Sequence, residues 1–301
     1  MDEIVFYNRL TGRMETEQVY GEGFLKWVYG SMLGKLSLHA LVKRAVFSSW
    51  YGRRMDAAAS RAKIRPFIQQ FGVPVEEMAD PVESFATFND FFYRRLKPEA
   101  RPIDGDEGVL VMPADGRHLL IEDVSKASDF WVKGVRFDLR AFVGDAELAE
   151  EFEGGSLLIS RLCPVDYHRF HFPCGGVSGR AELINGWLNS VSPLALRQRA
   201  SILWENKRYR TVIEESAFGR VVFFEIGATC VGSVVHTVGG GVRVEKGQEK
   251  GYFRFGGSSV ATLVAKGKVK WAEDLREQGA RGVEVYARMG ERAGVLGGGG
   301  K

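Results

Sequence analysis

The chain has 301 residues, of which 45% are hydrophobic and 26% charged, a balance that excludes a disordered or collagen-like protein. Its 41 Lys and Arg residues against 38 Asp and Glu residues leave a formal charge of +3, which gives no reason to expect a nucleic-acid partner. Three cysteines without a Cys-x-x-Cys pair argue against a disulfide framework and against a structural zinc site.

Residues 24–96 are predicted to be mainly helical. An apolar stripe at i, i+3, i+4, i+7 and i+8 spacing comprises Leu38, Leu41, Val42, Ala45 and Val46. Lys43 and Arg44 flank this stripe, and Trp and Tyr residues lie nearby. Such a helix either packs in a soluble core or lies on an anionic membrane surface, and the pattern alone favours the core. Charges interrupt every long apolar stretch, so no transmembrane helix is expected, and no signal-peptide pattern begins the chain.

Two more helices and then a β-rich region follow along the chain. The helices are predicted at Asp56–Phe71 and Phe88–Leu96, with Thr87 as an N-cap for the second. After residue 105, short runs that are mostly β-branched, aromatic or apolar predict strands at Val109–Met112, His118–Ile121, Ser156–Ser160, Val177–Ile184, Tyr209–Ile213, Val221–Ile226 and Val260–Val264. Sparse helix signals remain at Leu139–Phe142, Pro193–Gln198 and Ala272–Arg276.

These elements predict an α+β fold in two regions. Residues 1–100 form a helical region, and residues 101–301 form a mostly antiparallel, β-rich catalytic domain.

Two polar motifs could carry chemistry. His168 and His171 lie three residues apart, and on a turn their side chains could converge, although two surface histidines near a strand end are an equally simple interpretation. Asp115 follows a predicted strand in a Pro-Ala-Asp-Gly turn, where it either caps the turn or orients an imidazole.

A third motif places two glycines before two serines. In Gly256-Gly257-Ser258-Ser259, glycine removes the Cβ that would hinder attack on the carbonyl before Ser258, although a plain β-turn is the simpler interpretation. The motif lacks the last Gly of a nucleophile elbow, and the order Asp115, His171, Ser258 differs from that of α/β-hydrolases.

Together these motifs resemble the phosphatidylserine decarboxylase family over about residues 85–270. The resemblance is carried, in chain order, by Phe91–Leu96, Arg101–Asp104, Pro113–Gly116, Lys133-Gly134, Asp166–His171, Gly227–Ser233 and Glu249–Ser259. Two Gly-Ser pairs compete for the family's cleavage site. The prefix Lys-Gly-x-Glu-x-Gly-x-Phe begins at Lys246 and leads to Ser258, whereas Ser233 matches an upstream strand. Ser259 stands where the family usually has Thr, which keeps a hydroxyl.

The resemblance implies a self-cleaving proenzyme. Asp115 orients His171, which activates Ser258 to attack the Gly257 carbonyl, and cleavage leaves a β chain of residues 1–257 and an α chain of residues 258–301. Ser258 becomes a covalent pyruvoyl group, which forms a Schiff base with phosphatidylserine and accepts the electrons released as CO2 leaves. His168 assists decarboxylation or protonation, the product is phosphatidylethanolamine, and no metal is required.

A lipid substrate changes the interpretation of the N-terminal helices. It favours peripheral association of residues 24–51 with the cell membrane, on the cytoplasmic face of a bacterium. The resemblance also implies a homodimer. Three alternatives remain: a serine hydrolase that uses Asp115, His171 and Ser258 without chain cleavage, a membrane-binding scaffold without catalysis, and a pyruvoyl decarboxylase of a soluble amino acid.

Replacing Leu41 and Val46 together by Asp tests the membrane hypothesis. The double variant is expected to lose binding to anionic vesicles, because both side chains lie on the apolar stripe. Co-sedimentation measures the binding, and circular dichroism checks that the fold persists. Unchanged binding by a folded variant would reject a membrane role for this stripe.

Overall fold

The computed structural model describes residues 4–17, 52–129, 137–189, 191, 201–227, 234–255 and 258–298. The amphipathic helix predicted over 24–51, the helix predicted at Pro193–Gln198, and Gly257 and Ser233 lie outside these ranges. In the described residues, no helix is long and apolar enough to cross a membrane.

Strands dominate the described chain. They are β1 Val5–Asn8, β2 Arg13–Thr16, β3 Val109–Val111, β4 Gly116–Ile121, β5 Ser156–Leu162, β6 Arg169–His171, β7 Gly176–Ser178, β8 Glu182–Ile184, β9 Arg208–Ser216, β10 Gly219–Ile226, β11 Val234–His236, β12 Val242–Val244, β13 Glu249–Phe253, β14 Ser258–Val264, β15 Val269–Trp271, β16 Glu284–Ala287 and β17 Arg292–Leu296.

The helices are short. They are α1 Ile64–Phe71, α2 Phe88–Phe92, α3 Leu139–Val143, α4 Ala146–Glu151, α5 Ile202–Glu205 and α6 Glu273–Ala280, together with 3-10 turns at Ala58–Lys63, Val75–Glu77, Val82–Ser84, Pro98–Ala100 and Val124–Asp129. The helix predicted over Asp56–Phe71 is therefore a 3-10 turn followed by α1, and the one predicted over Phe88–Leu96 ends at Phe92.

A large sheet organises the fold. Its strand order is β12-β7-β9-β10-β14-β5-β4-β16-β1-β2, with β8 paired to β9. Two three-stranded sheets have the orders β11-β13-β6 and β15-β17-β3. Among the pairs of named strands in the described ranges, β1 with β16 is parallel and the others are antiparallel. This confirms the expected mixture of helices with mostly antiparallel sheets.

Both faces of the large sheet are buried. On β14 and β5, all seven residues of each strand are buried. Both strands are mainly apolar, with Ser and Thr in β14 and with Ser and the ion-paired Arg161 in β5. One face packs against Phe170, Phe172 and Phe253, and the other packs against Phe142 and Phe152 from the α3–α4 region. The large sheet therefore lies in the middle of the protein, with its central strands shielded from water.

The N-terminal region divides differently from the sequence prediction. Hairpin β1–β2 joins the large sheet through parallel pairing of β1 with β16, so the first described residues belong to the β-rich body and not to a helical region. Sequence alone could not show this pairing, because Phe6 and its partner Glu284 are 278 residues apart.

Helix α2 begins as predicted. The Thr87 side chain accepts a hydrogen bond from the Asp90 backbone N–H, and the Asp90 carboxylate accepts one from the Thr87 N–H, which completes a capping box. The helix buries Phe88, Phe91 and Phe92 in a third cluster, with Phe67 of α1 and Phe255. The N-cap predicted at Thr87 is confirmed.

His118 on β4 links three strands of the large sheet. Its Nδ1 lies 2.8 Å from Ser160 Oγ on β5, and its Nε2 lies 3.3 Å from the Ala287 carbonyl oxygen on β16. Complete burial lowers its pKa to about 3. His118 therefore stays neutral when the protein is folded at pH 5, whereas in the unfolded chain it would bind a proton below its ordinary pKa near 6.5.

This difference predicts acid sensitivity. Since the unfolded chain binds more protons, the free energy of unfolding should decrease as the pH is lowered. His118 alone should account for a loss of about 2 kcal/mol between pH 7 and pH 5. Urea unfolding of His118→Gln in a Ser258→Ala background, which the predicted cleavage cannot divide, should show a correspondingly shallower pH dependence. If the Ser258→Ala parent and the double variant lost stability equally between pH 7 and pH 5, His118 would not be the source of the acid sensitivity.

Candidate active site

Ser258 begins the central strand β14. Its backbone is paired with Leu162 on β5, and the residue has no exposed surface. Its side chain and those of Val260 and Thr262 point to the same face of the sheet, because alternate residues of a strand share a face. The hydroxyl is therefore held in a desolvated position at the end of a rigid strand.

His168 contacts this hydroxyl. The loop that follows β5 carries His168 back over the sheet, so that its Nδ1 lies 3.3 Å from Ser258 Oγ. Its Nε2 lies 2.8 Å from the Cys163 carbonyl oxygen, which can only accept, so Nε2 carries the proton and donates. Nδ1 is then an unprotonated acceptor facing the Ser258 hydroxyl. This tautomer is the one that a general base at Ser258 requires.

Packing keeps the His168 ring in place and neutral. The ring stacks on Phe92 of α2, with centroids 3.8 Å apart and planes 24° apart. Burial lowers the pKa of His168 to about 3, and the nearby Arg94 guanidinium contributes in the same direction. The ring is therefore unprotonated near neutral pH.

His171 on β6 has a different environment. Its Nδ1 lies 3.0 Å from the Gly247 carbonyl oxygen and donates to it, which leaves Nε2 as an acceptor. Nε2 is buried and has no hydrogen-bond partner among the described residues. Burial lowers the pKa of His171, while the Gly247 bond and the carboxylates of Glu249 and Asp115 oppose that shift.

Asp115 is held by an arginine. Its carboxylate accepts hydrogen bonds from Arg101 Nε at 2.8 Å and Arg101 Nη2 at 2.5 Å, and from the Met289 backbone N–H at 2.8 Å. The turn that carries Asp115 lies beside β6, because the His171 N–H donates to the Pro113 carbonyl oxygen at 2.7 Å. In the described ranges, no hydrogen bond joins His171 to Asp115 or to Ser258.

Of the predicted site residues, the structure thus brings His168 and Ser258 into contact and places Asp115 and His171 on adjoining segments. The relay from Asp115 through His171 to Ser258 stays a prediction. Sequence reasoning missed Arg101, the partner of Asp115, and Arg117, whose Nη1 lies 2.6 Å from Asp166. Arg101 and Asp166 lie in two of the motifs that carry the family resemblance, Arg101–Asp104 and Asp166–His171. That position was the sequence signal that could have identified both ion pairs.

A cavity of about 230 Å³ borders this region. Its lining is strongly charged and includes Glu15, Glu77, Arg94, Arg101, Asp115, Arg117, Asp166 and Arg288. The Asp115–Arg101 and Asp166–Arg117 ion pairs form part of its wall. Burial lowers the pKa of Arg94 to about 10.

Comparison with known proteins decides the family. The family model for phosphatidylserine decarboxylase matches residues 88–295, more than half of the chain. The chain belongs to the phosphatidylserine decarboxylase family. This confirms the predicted family and enzyme class, a carboxy-lyase.

Curated relatives cover almost the whole chain. A phosphatidylserine decarboxylase proenzyme of Fusobacterium nucleatum is 43% identical over 293 residues, which are 97% of this chain and 98% of the relative. Proenzymes of the same name from Clostridium perfringens and Chlamydia muridarum are 40% and 43% identical over 97% of this chain, and over 99% and 97% of their own lengths. These relatives give no support to the serine hydrolase hypothesis.

Proposed function

We propose that this chain is a proenzyme that cleaves itself between Gly257 and Ser258 and then converts phosphatidylserine to phosphatidylethanolamine. The observation that carries the proposal is the buried contact between Ser258 Oγ and His168 Nδ1, 3.3 Å apart, in a chain of this family. A neutral imidazole beside this buried hydroxyl places a proton-transfer group at position 258, where both the cleavage and the decarboxylation are proposed to occur.

Cleavage begins when a histidine accepts the Ser258 hydroxyl proton. The oxygen attacks the Gly257 carbonyl, and the peptide bond becomes an ester as the proton passes to the amide nitrogen, which leaves as the free amine. Loss of the Ser258 α-proton with rupture of the ester C–O bond then gives a carboxylate on Gly257 and a dehydroalanine at position 258. Tautomerisation, addition of water and loss of ammonia convert the dehydroalanine to a pyruvoyl group.

Two histidines could perform the proton transfer. We assign it to His171, supported by the unpartnered Nε2 and by the charge of Asp115, and we assign His168 to the decarboxylation or reprotonation step at the same position. His168 already touches Ser258 in the uncleaved chain, so it is the competing candidate for the first step.

The surroundings of Ser258 fit a pyruvoyl group. Position 258 is held by pairing with Leu162, and the neutral His168 ring, backed by Phe92, lies beside the side-chain oxygen. The group would supply a ketone that takes the substrate amine and an electron sink for the pair left by CO2. His168 would hold or deliver a proton at that position.

The substrate is a bilayer lipid, so the enzyme must reach a membrane surface. We assign this task to residues 24–51, with the protein peripheral to the cytoplasmic face of the cell membrane. The α and β chains of one precursor would stay together, and a homodimer is the assembly we propose.

Intact mass under denaturing conditions tests the proenzyme. Cleavage before Ser258 is expected to give pieces of roughly 29 and 4.5 kDa, the smaller about 17 Da lighter than a peptide that starts with serine, because ammonia is lost. The Ser258→Ala variant is the control and should remain at 33.5 kDa. A wild-type chain that also stays intact, and that reacts with a fluorophosphonate, would replace the proposal by a serine hydrolase.

Paired histidine variants assign the two steps. His171→Ala is expected to stop cleavage, whereas His168→Ala should lower CO2 release per cleaved chain by about 10²- to 10⁴-fold, the usual contribution of a general acid or base. Gel analysis measures cleavage, and release of labelled CO2 measures turnover. Full cleavage by His171→Ala together with none by His168→Ala would move the base role to His168.

A further inference from the structure

Asn89 is a fully buried polar residue on α2, and both ends of its side-chain amide are hydrogen-bonded. Its Oδ1 accepts a hydrogen bond from the Phe255 backbone N–H at 2.8 Å. Its Nδ2 donates to Asp56 Oδ1 at 2.7 Å. A backbone N–H can only donate and an ionised carboxylate can only accept, so the two partners determine the orientation of the amide.

The partner of Asn89 lies just before the proposed scissile bond. Phe255 precedes Ser258 by three residues, and strand β13 ends two residues earlier at Phe253. The Phe255 ring packs against Phe88 and Phe92 of α2, with centroids 5.3 and 4.8 Å away. Helix α2 therefore holds this segment by both its backbone and its side chain.

The same helix also positions a histidine of the site. Phe92, three residues after Asn89, stacks on the His168 ring, which contacts Ser258 Oγ. Residues three apart on a helix lie on neighbouring positions of one face. Helix α2 thus contacts two parts of the proposed site: Asn89 binds the segment before the scissile bond, and Phe92 packs on the His168 imidazole.

We infer that Asn89 is a positioning residue for chain cleavage, which fixes the segment ending at Phe255 relative to His168 and Ser258. This inference rests on the proposed self-cleavage. Attack on a carbonyl needs the reacting atoms at about 3–3.5 Å, and a displacement of about 1 Å can cost about 100-fold in rate. A buried amide with both ends hydrogen-bonded restrains the backbone N–H that it binds, and so limits such displacements.

Substitution Asn89→Leu tests the inference in the full-length chain. The side chain keeps its approximate size but loses both hydrogen bonds, so cleavage is expected to be about 100-fold slower. The matched control is Ser60→Ala. Ser60 Oγ accepts the Phe88 N–H of the same helix at 2.8 Å and donates to the Met55 carbonyl oxygen, so its bonds hold α2 without reaching the segment after β13. Both variants remove buried hydrogen bonds in the same region, so a similar drop in melting temperature is expected, with slow cleavage only in Asn89→Leu.

An exchange of the two partners supplies a rescue. Asn89→Asp alone places two carboxylates together and should also slow cleavage. With Asp56→Asn added, the amide introduced at position 56 can donate to the carboxylate introduced at position 89. That carboxylate can still accept the hydrogen bond from the Phe255 N–H. The double variant Asp56→Asn/Asn89→Asp is therefore expected to recover at least tenfold in cleavage rate over Asn89→Asp. A purely structural role would not make the rate depend on this exchange once melting temperatures are matched.

Three readouts separate the outcomes: the first-order rate of cleavage on gels, the melting temperature, and CO2 release per cleaved chain, which should stay near wild type. Wild-type rates of cleavage in folded Asn89→Leu, or equal slowing in Ser60→Ala, would overturn the positioning role. A wild-type chain that never cleaves would instead overturn the proposed function.

Discussion

The insertion of β14 between β10 and β5 is the constraint on which the site depends. Antiparallel pairing with β5 holds the strand from Ser258 to Val264, and antiparallel pairing with β10 holds it from Ser259 to Val264. Aromatic side chains from helices and small sheets cover both faces. A hydroxyl at the end of such a strand is fully buried and has little freedom to move. The same burial keeps the His168 imidazole neutral, so shielding supplies both a rigid nucleophile and an unprotonated acceptor beside it.

Three buried ion pairs surround the site and the sheet beside it. Arg101 binds Asp115, Arg117 binds Asp166, and Lys250 on β13 binds the fully buried Glu225 on β10. A buried ion pair adds little stability over an apolar replacement, but removal of one partner leaves the other charge unpaired and costs several kcal/mol. Single substitutions in these pairs would therefore disturb the fold and the site together.

Local signals predicted what local interactions determine. The Thr87 cap and the apolar runs of β5, β10 and β14 were recognisable, because a capping box spans four residues and a buried strand is evident from its composition. Three other interactions could not be recognised from the sequence. They are the pairing of β1 with β16, the ion pair of Arg101 with Asp115, and the contact of His168 with Ser258. Each of these joins segments distant in sequence, and the loop from Cys163 to His168, not the His-x-x-His spacing, decides which imidazole faces the hydroxyl.

The position of β14 has a consequence for how a cleaved protein would stay assembled. A chain cut before Ser258 would leave its short piece as a central strand of the large sheet, with β16 and β17 of the same piece paired to strands of the long piece. The halves could separate only by opening several ladders at once. After unfolding, the two pieces would have to associate in a bimolecular step, because the peptide link that joined them during the original folding would be gone. The mature state would then be a kinetically trapped one, whose lifetime reflects the barrier to unfolding and not a reversible equilibrium.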